Sequence, residues 1–281
     1  MKSLENLYRQ GIALLKDIPE NPIDAKLILL DSFDLTGEEF FKNPESVPSG
    51  KDIKGYFRMI RKRSQGYPLS YLTGKKEFWS IPFKVKKGVL IPRPETELII
   101  ETVLALHPAG NPFIADIGTG CGNISVSLGK ELPEASIFAT DISVRALRIA
   151  WENARRQEIN NIKFLRGNLF DPLEKRGLKG KMDLILSNPP YVSEEEWKGL
   201  PDEIRLYEPK KALVGGASGL DFIQRMIDSA PDFLKQGGHL IFEIGFGQKD
   251  QVIALFNEGW SEIECCNDLS GIPRVINARY I

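Results

Sequence analysis

The chain has 281 residues, 42% of them hydrophobic, and a formal net charge of −1. That length and apolar content suffice for two packed domains, and near-neutrality argues against a broad nucleic-acid or membrane surface. The cysteines Cys121, Cys265 and Cys266 lack metal-ligand spacing, Leu4 to Leu15 is too interrupted by Glu5, Arg9 and Gln10 for a secretory signal, and no uncharged apolar run has membrane-spanning length; the expectation is a cytoplasmic protein with no metal site.

Leu4, Leu7, Tyr8, Ile12 and Leu15 recur at helical spacing. Ile23 to Phe33 follows Asn21-Pro22 as a second apolar helix, and Ile53, Tyr56, Phe57 and Ile60 mark another that runs into Arg61-Lys62-Arg63. Leu35-Thr36-Gly37 and Pro48-Ser49-Gly50 read as turns. Residues 1–74 are thus expected to form a small helical domain, with the basic stretch Lys51 to Arg63 as a solvated helix face. The period changes at Phe78, Trp79, Ile81, Phe83 and Val85, which suggest two short strands around Ser80-Ile81-Pro82 and a β-hairpin connector over residues 75–92. Ile91-Pro92-Arg93-Pro94-Glu95-Thr96-Glu97 then leads into a helix bearing Leu98, Ile99, Val103 and Leu106.

From Phe113 onward strands and helices alternate. Phe113 to Ile117, Ser136 to Thr140, Ile162 to Leu165, Met182 to Leu186 and His239 to Ile244 read as strands. Ile124 to Leu132, Val144 to Gln157, Leu220 to Leu234 and Gln248 to Asn257 read as helices, and apolar segments near Ile263 and Val275 close the chain. This order predicts an α/β fold over residues 93–281, a doubly wound, Rossmann-like, mostly parallel sheet.

Asp116-Ile117-Gly118-Thr119-Gly120-Cys121-Gly122 joins the first strand of that sheet to its helix. Glycines there let backbone approach a ligand. The spacing is not the dinucleotide fingerprint, and no Walker Lys-Ser/Thr follows. Asp141 ends the second strand, where a carboxylate can accept both hydroxyls of a ribose, and Ile142 follows it. Asn168-Leu169 ends the third strand, in place to meet an adenine ring.

Asn188-Pro189-Pro190-Tyr191 ends the fourth strand. Consecutive prolines bring no N–H and fix φ, and the first holds Asn188 out of the helical region. The stiff turn therefore presents acceptors, the Asn188 amide oxygen and backbone carbonyls, beside the Tyr191 ring. That device suits a planar –NH2 group, and with the glycine loop and Asp141 it points to S-adenosylmethionine as cofactor. Nicotinamide fits less well, because such a turn has no task in hydride transfer.

By these motifs the chain resembles a class I S-adenosylmethionine-dependent methyltransferase, and more narrowly the HemK (PrmC) family of peptide-chain release factor glutamine methyltransferases. Leu90 to Glu97 resembles that family's signature, Asp116 to Gly122 its cofactor loop and Asn188 to Tyr191 its substrate loop. Gly66-Tyr67-Pro68-Leu69 with Tyr71, Gly74 and Glu77-Phe78, Glu208-Pro209 with Ala212-Leu213, Gly215-Gly216 and Gly219-Leu220, and Asp268-Leu269-Ser270-Gly271 with Arg274-Val275 also match. Cys121 departs from the family's usual Ser, Ser218 from a frequent Asp and Asn168 from a frequent Asp; the last exchanges a charged acceptor for an amide.

The resemblance implies a helical docking domain, a connector and a methyltransferase sheet. It implies methyl transfer to the glutamine of the Gly-Gly-Gln motif in release factors. Asn188, Pro189 and Tyr191 would be catalytic, and with Pro190 would bind substrate. Arg93, Gly118, Thr119, Gly120, Cys121, Gly122, Asp141, Ile142, Asn168, Leu169 and Asn188 would bind cofactor. Arg93 could equally pair with Glu95 or Glu97, and Lys51 to Arg63 could meet a release-factor or ribosomal surface. A monomer that binds no membrane and no nucleic acid stably is expected. The alternatives are an amino-methyltransferase acting on adenine or guanine in nucleic acid, which usually needs a basic surface and base extrusion, a glutamine methyltransferase acting on a ribosomal protein, and a module that holds the cofactor without transfer.

Overall fold

The computed structural model describes residues 3–48, 50–108 and 110–281, so the turn expected at Ser49, like the side chain of Lys51, lies outside the described residues. The chain divides into two compact units, Met1–Lys75 with Pro201–Tyr207, and Lys76–Leu200 with Glu208–Ile281.

The first unit is helical: α1 (Leu4–Leu14), α2 (Asn21–Phe33), α3 (Gly37–Lys42), α4 (Gly50–Ser64) and α5 (Leu69–Thr73). The Ser3 side chain caps α1, Pro22 sits in the first turn of α2, and α2 stops at Asp34 in the left-handed region. The expected turn at Thr36-Gly37 instead starts α3. Thr36 Oγ1 accepts the Glu39 N–H at 3.1 Å, and a Glu39 carboxylate oxygen accepts the Thr36 N–H at 2.7 Å, a reciprocal cap that satisfies two donors. Leu4, Leu7, Leu15, Ala25, Ile28, Leu29, Phe40, Tyr56 and Ile60 form the core, and the Tyr56 hydroxyl donates to the Leu7 carbonyl at 3.1 Å. The basic stretch is not uniformly solvated: Arg63 turns inward and pairs with buried Asp24 at 2.5 Å. It also donates to Glu203 at 2.7 Å and to the Tyr67 carbonyl at 3.2 Å. Glu203 lies on a short helix (Asp202–Arg205) in the Pro201–Tyr207 segment, whose membership of this unit the sequence pattern does not foretell.

The hairpin pairs β1 (Lys75–Phe78) with β2 (Ile81–Lys84). Its turn falls on Trp79 and Ser80, with φ of 50° and 54°. Two positive φ values define the mirror-image turn that matches strand twist. A tryptophan is an unusual occupant; its N–H donates to Glu97 at 2.7 Å and its indole N–H to Glu131 at 2.8 Å.

The main sheet has seven strands in the order β5-β4-β3-β6-β7-β9-β8. These are β3 (Phe113–Ile117), β4 (Ser136–Asp141), β5 (Ile162–Arg166), β6 (Met182–Ser187), β7 (Leu234–Glu243), β8 (Trp260–Asn267) and β9 (Pro273–Tyr280). The strands β3 to β7 pair in parallel, while β9 runs antiparallel to both its neighbours. Near-continuous burial of β3 and β6 is what a parallel sheet covered on both faces requires. The covering helices include α6 (Glu97–Ala105), α7 (Asn123–Glu131), α8 (Val144–Arg156) and a later helix, α9 (Asp221–Ser229).

Two expected helices are shorter than their apolar pattern. The segment Leu220 to Leu234 is helical only to Ser229; Pro231 then sits in a 3-10 turn, and Leu234 already belongs to β7. Proline cannot donate the next helical bond. The segment Gln248 to Asn257 is α-helical over Lys249–Ile253, after which Leu255 and Phe256 donate three residues back. The C-terminal apolar segments form the β8–β9 hairpin. Chain order reverses between β3 and β6, and the strand ends at such a switch point form the ligand crevice of open α/β sheets.

Candidate active site

The loop after β3 is set by β4. Gly118 and Thr119 donate their N–H groups to the Thr140 carbonyl at 2.9 and 2.8 Å. Beneath the loop Asp116 is fully buried. One of its carboxylate oxygens accepts from Thr119 Oγ1 at 2.6 Å, and the other, Oδ1, has no partner. Burial pushes this carboxyl up to about 6, against the hydrogen bond from Thr119. At the end of β4, Asp141 accepts the Gly120 N–H at 3.0 Å on one oxygen and the Ser143 N–H at 2.8 Å on the other. Each oxygen keeps a second lone pair. After β5, Leu169 holds a φ of 45°, a costly conformation for a bulky residue.

The turn after β6 is braced from behind. Ser187 Oγ donates to the Ile117 carbonyl at 2.7 Å, tying the ends of β6 and β3 together. The Asn188 side-chain –NH2 donates to Thr96 Oγ1 at 2.9 Å, and Thr96 Oγ1 donates to Glu243 Oε2 at 2.6 Å. Glu243 Oε1 accepts from the Tyr191 hydroxyl at 2.8 Å. Burial raises the Glu243 carboxyl above the usual range, partly offset by those two donors. Burial, then the Glu243 charge, raise the Tyr191 phenol, so it stays a neutral donor. Gln248 binds the Tyr191 carbonyl at 2.8 Å.

A cavity of about 600 Å³ opens at these strand ends. Its wall brings together Gly118, Thr119, Gly120, Cys121, Asp141, Ile142, Asn168, Leu169, Asn188, Pro189 and Pro190. Three sequence-selected residues stand outside it. Gly122 caps α7 with φ 83°, and a Cβ there would come within 2.9 Å of Ala150 Cβ. Arg93 is committed to Glu208 at 2.5 Å and to the Ile91 carbonyl at 2.9 Å, rather than to Glu95 or Glu97. Tyr191 packs behind the turn, its hydroxyl held by Glu243. Cys121 is buried, which pushes its thiol up to about 12 and leaves it a poor nucleophile at neutral pH.

Thr96, Glu243, Gln248 and Gly215 were not selected as site residues from sequence. Thr96 and Gly215 lie inside segments that were matched to the family, and Glu243 is an acid ending an apolar strand, the same signal that singled out Asp141. Gly215 touches the turn directly: a Cβ there would lie 2.2 Å from the Pro190 carbonyl oxygen. The contact is with backbone, so Gly215→Ala must push the turn aside. Overpacking of this kind costs roughly 1–3 kcal/mol, and kcat is expected to fall about tenfold or more while the far-ultraviolet circular dichroism spectrum is unchanged.

A doubly wound sheet of this strand order, with a glycine loop, an acid-ended second strand and an acceptor-bearing turn around one cavity, is the frame of a class I methyltransferase. Residues 94–201 match the methyltransferase small domain family, and residues 6–74 match the PrmC N-terminal domain family. A crystal structure of a methyltransferase from Pyrococcus furiosus shares the fold, with a TM-score of 0.51 at 19% identity over 71% of this chain and 88% of that one. The release factor glutamine methyltransferase of Koribacter versatilis (strain Ellin345) is 37% identical, covering 94% of this chain and 92% of that protein. That of Clostridium botulinum (strain Hall) is 36% identical, covering 98% and 99%. The chain belongs to the release factor glutamine methyltransferase family, and it is an enzyme.

Proposed function

We propose that the enzyme transfers a methyl group from S-adenosylmethionine to the side-chain amide nitrogen (N5) of the glutamine in the Gly-Gly-Gln motif of peptide-chain release factors. The observation that carries this reading is the Asn188 side chain: its –NH2 is spent on Thr96, which leaves its oxygen to accept, in the wall of the same cavity as the glycine loop. Family membership favours a protein glutamine over adenine or guanine.

The residues present fit the cofactor. The open lone pairs of Asp141 suit the two ribose hydroxyls, and Ile142 and Leu169 offer apolar surface to adenine in the same cavity. When bound, the cofactor supplies an electrophilic methyl group. Losing the Asp141 acceptors forfeits two charge-assisted hydrogen bonds, roughly 1.5–3 kcal/mol each. Asp141→Ala is therefore expected to weaken S-adenosylmethionine binding by about 10²–10⁴ in calorimetry, with release-factor binding changed less.

An amide nitrogen is a poor nucleophile because its lone pair is delocalised. The Asn188 oxygen and the Pro189 carbonyl accept its two hydrogens and aim the lone pair. As the nitrogen becomes cationic, both acceptors bind it more strongly than they bind the ground state. His107 and His239 do not line the cavity, and no strong base is required: the proton can leave to water after transfer, and alignment supplies most of the rate. Pro190 borders the amide, and Tyr191 holds the turn in shape through Glu243.

The helical unit would dock the release factor, and the enzyme would work as a cytoplasmic monomer; no helix among the described residues is long and apolar enough to cross a membrane. The test is to incubate the enzyme and labelled S-adenosylmethionine with release factor, a release factor lacking the glutamine, ribosomal protein and nucleic acid. Label is expected only in the intact release factor, and label confined to nucleic acid or ribosomal protein would overturn the assignment.

A further inference from the structure

An amide has two ends of nearly equal size, and only one suits an incoming –NH2 group. The side chain of Asn188 could present either its oxygen or its own –NH2 to the cavity. What chooses between them is two residues away in a hydrogen-bond chain. A hydroxyl has one proton to give. Thr96 Oγ1 lies 2.6 Å from a Glu243 carboxylate oxygen and 2.9 Å from the Asn188 nitrogen. Each Glu243 oxygen faces a hydroxyl donor, Thr96 on one and Tyr191 on the other; the ionised form that two donors favour only accepts, so the Thr96 proton goes to Glu243. Thr96 can then only accept from Asn188, and the Asn188 oxygen is left for the cavity. The second carboxylate oxygen is filled by the Tyr191 hydroxyl at 2.8 Å, which leaves Glu243 no reason to turn. Both Thr96 and Glu243 are buried, so bulk water does not compete for these bonds.

We propose that Glu243, acting through Thr96, is a positioning residue that fixes the polarity of the Asn188 amide and so makes the site select a glutamine side chain over a glutamate. The inference rests on the reading of Asn188 as the acceptor of the substrate amide. An isosteric change exposes the device. In Glu243→Gln the Tyr191 hydroxyl keeps its acceptor, the new carbonyl. The new –NH2 then faces Thr96, whose proton turns to Asn188. Asn188 must answer with its oxygen, and its –NH2 swings toward the cavity. A substrate –NH2 now meets a donor, whereas a substrate carboxylate meets a partner. The Pro189 carbonyl is unaffected, so selectivity narrows rather than inverts.

The experiment uses the full-length enzyme with intact release factor as substrate and, as competitor, the same factor with its Gly-Gly-Gln glutamine changed to glutamate. An unsatisfied donor pair in a buried site is worth roughly tenfold to a hundredfold. Glu243→Gln is expected to lower kcat by that factor and to tighten inhibition by the glutamate competitor relative to substrate KM by about tenfold. The Kd for S-adenosylmethionine should stay within about threefold of the starting protein, as for other changes outside the direct contacts. Thr96→Val cuts the chain without touching the carboxylate and should lower kcat similarly, and Thr96→Ser, which restores the hydroxyl, should recover about tenfold over Thr96→Val. A merely structural role would lower all constants together and leave the glutamine-to-glutamate preference alone. Unchanged preference in both Glu243→Gln and Thr96→Val, with Asn188→Ala inactive, would overturn the inference and leave the function standing. An active Asn188→Ala would overturn the reading on which it rests.

Discussion

Replacing Asn188 by alanine is expected to lower kcat for release-factor methylation by about 10²–10³, with S-adenosylmethionine affinity changed much less. The size follows from what is removed. Asn188 supplies one of two preorganised acceptors for the amide hydrogens, and its orientation is already set before substrate arrives by Thr96 and Glu243. Removing one preorganised polar group typically costs roughly 3–4 kcal/mol of transition-state stabilisation. The loss should fall on kcat because charge develops on the nitrogen only as the methyl moves. Single-turnover kinetics on purified release factor separate this from a binding defect, and near-normal turnover would rule the acceptor role out.

The second large effect is on stability. Asp24→Ala is expected to destabilise the helical unit by about 3–5 kcal/mol, the usual consequence of leaving one partner of a buried ion pair unmatched. The Asp24 and Arg63 side chains retain only 6% and 9% exposure. Arg63 would keep Glu203, which is 39% exposed, and the Tyr67 carbonyl, so the lower part of that range is expected. For a unit of this size the unfolding midpoint should drop by roughly 10–20 °C. Replacing both partners, Asp24→Leu with Arg63→Met, should restore much of the loss, because apolar packing can substitute for a buried pair. Hydrogen exchange at amides of α2 and α4 reads this unit directly; unchanged protection in Asp24→Ala would show that the pair contributes nothing.

Much of the fold was legible because its signals are local. The run Met182 to Leu186 could hardly be anything but a buried strand, and glycines 118, 120 and 122 all hold positive φ where the loop turns. What escaped depended on partners far away in sequence. Thr36-Gly37 looks like a turn until Glu39 closes the cap. Leu220 to Leu234 carries apolar residues throughout; Pro231 is a local stop signal that this pattern masks, and the pairing of Leu234 into β7 shows where the strand begins. The site divides in the same way. The cavity wall was readable, since each loop carries its own motif. The bracing was not: Thr96 and Glu243 are 147 residues apart, and no pattern in either neighbourhood names the other. Arg93 was divided between the cofactor and the neighbouring Glu95 and Glu97 because its actual partner, Glu208, is 115 residues away.

One carboxylate serves both ends of the substrate turn, with a hydroxyl on each of its oxygens. Positions 96, 188, 191 and 243 are therefore not four independent sites for change. Substitutions among them should be strongly non-additive, as expected for groups in a single network, so that a second replacement costs little once the first has been made. For a diverging lineage this is a ratchet. Drift at any one of the four first loses activity, and recovery needs a matching change at another. A shift to a new target is more accessible through lining residues outside that network, such as Lys211 and Arg225, which border the cavity and take no part in holding Asn188.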